Sequence, residues 1–171
     1  MWIRLVIIML LISACHHAGE TGFGKADTTY YSKGKIRSIE KYYPDDTSKV
    51  IEYYENGEIS SEATYYKDQM TGRAIFYYLN GAKNFEQHLD SLGRSHGAFH
   101  WWYQNGNLKR EGNYKEGNMV GEWKTYFEDG KLKRIERYDS DQKNGRWLYF
   151  NPQGDTVKIE IYRNDSLVNT R

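Results

Sequence analysis

Gly121-Glu122-Trp123-Lys124-Thr125-Tyr126-Phe127-Glu128-Asp129-Gly130-Lys131-Leu132 holds two glycines nine residues apart, with a Trp, a Tyr-Phe pair and an Asp-Gly turn dipeptide between them. The same arrangement recurs on both sides. Gly72 pairs with Gly81, Gly97 with Gly106 and Gly145 with Gly154, and successive pairs begin 25, 24 and 24 residues apart. A fixed period of this size marks a stack of similar supersecondary units, each too small to bury its own apolar side. Neighbours complete the core, so the stack grows in one direction and offers long surfaces suited to binding.

Counted from its second glycine, the repeat predicts a hairpin. Asn56, Asn80, Asn105 and Asp129 stand one residue before it. Asn-Gly and Asp-Gly are strong signals for a two-residue turn in which both central residues take positive φ. Three residues before the glycine come Tyr54, Tyr78, Tyr103 and Phe127, and four before it Tyr53, Tyr77, Trp102, Tyr126 and Phe150. Seven before it come Val50, Ala74, Phe99, Trp123 and Trp147. Eight after it, Tyr42, Tyr65, Tyr114, Tyr138 and Tyr162 recur, with Leu89 once in their place. Tyr30, Tyr31, Gly34 and Tyr42 form a degraded first copy, and Ser48 replaces the leading glycine of the second. The pattern predicts an all-β fold: an elongated antiparallel meander of about six repeated β-hairpins in a single sheet, with atypical end copies.

A two-residue turn pairs position −3 with +2, and paired residues share a face. Alternation then puts −7, −5, −3, +2, +4, +6 and +8 on one side. That side carries Trp123, Trp147, Phe99, Tyr54, Tyr78, Tyr103, Phe127, Ile59, Leu108, Leu132 and the +8 tyrosines, and is the expected core. The other side carries Glu55, Gln104, Glu128, Glu62, Glu86, Glu111, Lys109 and Lys133, expected to be solvated. Among these sits one aromatic per repeat: Tyr53, Tyr77, Trp102, Tyr126 and Phe150. Two strands separate successive members, so they form a stripe at intervals of about 10 Å. The stripe either covers the sheet through cross-strand pairs or is a candidate binding surface.

The N-terminus points to export. Arg4 precedes an apolar run over residues 5–12, too short to span a bilayer but matched to the apolar core of a signal peptide. Ile12-Ser13-Ala14-Cys15 resembles the lipobox of bacterial lipoproteins, in which diacylglycerol joins the thiol and cleavage then exposes the Cys amine. An ordinary secretory signal with a coincidental Cys is the alternative. Cys15 is the single cysteine, so no intramolecular disulfide can form. The expected organisation is a lipoprotein signal peptide over 1–14, a flexible tether over 15–27 and a repeat domain over 28–171. The expected location is the bacterial envelope, with lipid as the membrane contact; His16 follows the Cys in place of the Asp that marks inner-membrane retention, which favours the outer membrane and leaves membrane and leaflet open.

Charge and chemistry narrow the function classes. Without residues 1–14 the chain has 23 basic and 23 acidic residues, which offers no footprint for nucleic acid or anionic lipid. Sixteen tyrosines and two prolines favour strands over disorder. His96 and His100 would lie about 13 Å apart along a strand, too far to share a metal. No serine sits in an elbow motif, and no phosphate loop occurs. No catalytic residue, cofactor or metal site is expected, and the chain reads as a non-enzyme.

The segments 114–121 and 121–132 together resemble variant MORN repeats, in the bacterial form grouped with antitoxin-like proteins, over about residues 48–164. The resemblance implies a meandering sheet of hairpins and a protein-interaction role. A weaker similarity runs to the aromatic choline-binding repeats of cell-wall proteins, whose rings enclose quaternary ammonium groups. The leading expectation is an envelope-anchored scaffold for an unknown protein partner. Carbohydrate or cell-wall binding through the stripe, and an immunity or antitoxin-like inhibitor, are the alternatives.

Overall fold

The computed structural model describes residues 24–171; Cys15 and the signal segment lie outside the described residues. The strands are β1 (Ala26–Tyr30), β2 (Ile36–Tyr42), β3 (Thr47–Tyr53), β4 (Ile59–Tyr66), β5 (Gln69–Tyr77), β6 (Lys83–Leu89) and β7 (Ser95–Trp102). They continue as β8 (Leu108–Lys115), β9 (Asn118–Tyr126), β10 (Leu132–Asp139), β11 (Gln142–Lys143), β12 (Gly145–Phe150), β13 (Thr156–Arg163) and β14 (Ser166–Thr170). All pair antiparallel in chain order within one open sheet, β11 pairing β10 beside β12. Six hairpins turn at one edge, one per repeat, as the period predicts. The first strand begins at Ala26, paired with Lys41, two residues inside the segment expected to be tether.

The turns at that edge differ from the expected type. Phe127 N–H donates to Lys131 O and Gly130 N–H to Phe127 O, which encloses a three-residue loop. Gly130 takes positive φ (86°), whereas Asn56, Asn80, Asn105 and Asp129 are absent from the residues that do. Their side-chain oxygens instead accept the N–H two residues on, as Asn105 does from Asn107 at 2.9 Å. This local bond holds the Asn in an ordinary turn conformation and leaves the left-handed position to glycine. The two-residue turns with paired positive φ occupy the opposite edge, at Lys67-Asp68, Glu116-Gly117, Ser140-Asp141 and Asn164-Asp165.

One extra loop residue exchanges the faces of positions +2 and +3. Leu132 pairs with Tyr126 rather than Phe127, so Ile59, Leu108 and Leu132 join the stripe side and not the core. A bulge follows at once, with Arg134 opposite Thr125, and restores the expected faces from +4 onward. Lys109 and Lys133, expected in solvent, therefore turn toward the aromatic side: Lys109 Nζ lies over Trp101 and Tyr103, and Lys133 Nζ over Phe127. The leading glycines form a second set of bulges, in the strands rather than in turns. Gly121 has φ 70°, and the β8–β9 register shifts beside it. Ser48 stands at that position in β3, and β3 pairs with β2 there without a shift.

The core is a ladder of rings on one face. Phe76 stacks on Phe85 at 4.3 Å, and contacts continue through Phe99, Tyr114, Trp123, Tyr138 and Trp147 to Tyr162. Trp123 and Trp147 are 1% and 3% exposed. The −3 tyrosines, expected in this core, are half-buried and brace the turns instead. Tyr54, Tyr78 and Tyr103 each donate a hydroxyl to a backbone carbonyl of the next hairpin, at Tyr77, Trp102 and Tyr126. The side-chain amides of Asn56, Asn80 and Asn105 donate likewise to the carbonyls of Leu79, Gln104 and Glu128. Phe127 and Asp129 lack both donors, so this bracing ends before the last hairpin. Phe127→Tyr combined with Asp129→Asn should extend it and stabilise the array by about 1–2 kcal/mol. Chemical denaturation checks this, and an unchanged midpoint would refute it.

Candidate functional site

The stripe residues arrive on one face because −4 lies opposite +2 in every hairpin. Tyr53 faces Ile59, Tyr77 faces Lys83, Trp102 faces Leu108, Tyr126 faces Leu132 and Phe150 faces Thr156. All five rings are half-buried: part of each packs on the sheet and part meets solvent. The structure thus brings the expected stripe together in register.

What holds the stripe differs from the expectation. Glu62 and Glu111 are partly buried acceptors and not solvated carboxylates. Tyr77 Oη donates to Glu62 Oε1 and Tyr126 Oη to Glu111 Oε1, each at 2.6 Å. Burial, and then the adjacent carboxylate, pushes the Tyr77 hydroxyl up to about 12. The same causes raise Tyr126 further. Both phenols stay protonated as fixed donors across the neutral range. Trp102 has no hydroxyl, and the Glu86 carboxylate near it takes Arg73 Nε at 2.7 Å and Lys83 Nζ at 3.0 Å. The Arg73 bond leads the interactions that hold Glu86 down to about 2. Lys83 Nζ also lies 5.3 Å from the Trp102 ring, and the His100 ring stacks against the same indole at 5.6 Å.

Beside Tyr53 and Tyr77 the same face carries a depression of about 430 Å³, lined by Lys41, Tyr43, Lys49, Ile51, Arg73 and Ile75 among others. Ile75 is buried there, so the stripe side has an apolar floor in its N-terminal half. Among the described residues no group of three or more His, Cys, Asp or Glu could hold a metal ion. The arrangement can therefore stack, hydrogen-bond and pair charges with a bound surface.

Sequence reasoning missed a buried ionic cluster on the ladder face. Glu136 is 2% exposed, takes Arg110 Nη2 at 3.2 Å and lies 3.2 Å from Arg134 Nε. Glu160 repeats the theme beside Lys158 and Tyr149. Hydrogen bonds from these two, Lys158 first, hold its carboxyl down to about 2. The alternation in Arg134-Ile135-Glu136-Arg137-Tyr138 carries the signal, since +4 and +6 fall on the expected core side.

The crystal structure of TarM is similar over 57% of this chain and 20% of its own, at 8% identity and a TM-score of 0.38. The crystal structure of the GtfA/B complex bound to UDP and GlcNAc is similar over 71% of this chain and 23% of its own, at 13% identity and a TM-score of 0.27. The chain thus spans about a fifth of the length of these proteins. No curated protein matches it. Residues 47–68, 95–116 and 119–140, each one hairpin of the array, match the family model of the MORN repeat variant.

Proposed function

We propose that the chain is a non-enzymatic scaffold of the bacterial envelope, anchored by lipid on Cys15, and that its stripe face holds a protein partner. The observation that carries this reading is the stripe itself: five part-exposed rings in register, two of them fixed through Glu62 and Glu111. Rings held in place lose little freedom on binding and serve as anchors at interfaces. An immunity or antitoxin-like role is one form that such a partnership takes. The lipid anchor rests on Arg4, the apolar run and the Ile12-Ser13-Ala14-Cys15 segment.

The experiment is crosslinking of the acylated protein in intact envelopes, followed by mass spectrometry, with two variants beside the parent. Cys15→Ser should abolish labelled-palmitate incorporation and release the chain from membranes; persistent label removes the anchor from the reading. Trp102→Ser with Phe150→Ser, neither of which donates to a glutamate, should lower crosslinked partner about tenfold or more while the melting transition is retained. Undiminished crosslinking of the same partner overturns the stripe as the partner face. Retention of the parent, but not the double variant, on purified cell-wall polysaccharide would assign the stripe to carbohydrate instead.

A further inference from the structure

We propose that the ladder face carries a second binding site, centred on Thr125 between Arg110 and Arg134, for the carboxylates of an acidic segment in a partner protein. Arg110 and Arg134 both lie directly opposite Thr125, on the strands either side of it. Trp101 continues the row beyond Arg110, and Tyr149 beyond Arg134. The extra loop residue that turns +3 onto this face adds Lys109, 3.5 Å from the Trp101 ring centre, and Lys133 over Phe127. Basic groups and aromatic rings therefore interleave across β7 to β12.

Hydrogen bonding gives the polarity of the missing partner. Four buried polar atoms here lack a hydrogen-bond partner: Arg110 Nε, Arg134 Nε, Thr125 Oγ1 and Trp123 Nε1. Arg134 Nε lies within 3.2 Å of Glu136, close enough for an ion pair but not aligned for a hydrogen bond. Three of the four can only donate, and the fourth is a hydroxyl that can. Folded proteins rarely leave such groups unsatisfied. Donors clustered in a positive field favour an acceptor that carries negative charge.

Charge gives its valence. Glu136 sits between the two guanidiniums and neutralises one of them, so one positive charge remains at the arginine pair. A singly charged carboxylate matches that remainder, whereas a dianionic phosphate exceeds it. Position gives the kind of molecule. Arg110, Arg134 and Lys158 recur at +4, and Lys109 and Lys133 at +3, so the cations repeat every two strands, about 10 Å. A row of like subsites suits a chain that presents several carboxylates. Side-chain exposures of 26%, 34% and 50% for Arg110, Arg134 and Lys158 leave their outer ends in reach.

The test is a titration of the full chain with a capped octa-glutamate peptide at low and moderate salt. The parent should bind, and binding should weaken with salt. Lys109→Gln with Lys133→Gln should lower the affinity about tenfold and flatten the salt dependence. Thr125→Val should lower it several-fold without lowering the melting temperature, because the hydroxyl removed has no partner in the free protein. Lys124→Gln, on the stripe face, should change nothing. Absence of binding by the parent at low salt overturns the proposal, as does a loss in Lys124→Gln equal to that in the Lys109/Lys133 variant. Equal affinity for an oligonucleotide of the same charge overturns the carboxylate assignment. Trp102→Ser with Phe150→Ser should leave the peptide affinity intact, so failure of this site and failure of the stripe are told apart.

Discussion

Trp123→Ala should destabilise the array by about 3–5 kcal/mol, the range for deleting a large buried aromatic. Trp123 is 1% exposed in a sheet with a single layer, so its burial comes from neighbours on its own face. Phe99 at 5.8 Å, Tyr114 at 5.0 Å and Tyr138 at 6.5 Å surround it, the two tyrosines edge-on. Arg110 lies over the ring at 4.8 Å. Below it, Gly112 leaves the space that the indole fills: a Cβ on Gly112 would stand 2.1 Å from Trp123 Cδ2. No second layer can move in to fill the void, so three strands lose contacts together. Gly112→Ala should reproduce most of the loss from the other side of the contact, by expelling the ring rather than deleting it. Combining the two should then be less damaging than their sum, because the methyl added at Gly112 meets no ring once the indole is gone. Urea denaturation of the two single variants and the double measures this. Strict additivity would mean that the two residues do not share one packing site.

Much of this arrangement is legible in the residues. The Gly–aromatic–Asn-Gly period sets six hairpins, and Trp123, Trp147 and Phe99 at −7 land on the packed side as alternation requires. Loop length is not legible, because Asn-Gly serves both a two-residue turn and a three-residue loop. The two differ only in which residue takes positive φ, and the Asn side chain decides it by capping the N–H of residue 107 or its equivalents. That single residue misassigns +2 and +3, and thus Leu132 and Lys133, until the bulge at Arg134 restores the register. The partners of the stripe are hidden for another reason. Tyr126 reaches Glu111 in the preceding hairpin, 15 residues back, so the bond depends on register between repeats rather than within one.

Glu136→Ala should cost about 1–3 kcal/mol, because it removes the carboxylate that two part-exposed guanidiniums share and leaves their inner donors unpaired. The carboxylate is 2% exposed and is shared by Arg110, Arg134 and the Tyr138 hydroxyl. Without it, two guanidiniums face each other across Thr125 on the same side of the sheet, and both already carry an unpartnered Nε. Gln at 136 keeps the shape and an acceptor oxygen but not the charge, so Glu136→Gln should recover part of the loss. A buried ion network owes its worth to being complete: removing one member is harmful, whereas replacing all members by apolar groups is often neutral. Arg110→Met, Glu136→Leu and Arg134→Met together should therefore be markedly more stable than Glu136→Ala alone. The triple variant should also lose octa-glutamate binding while it stays folded, since it removes the guanidiniums and keeps the ladder. Equal instability of the single and triple variants would show that Glu136 is needed for its shape alone, and would remove the charge surplus from the account of the ladder face.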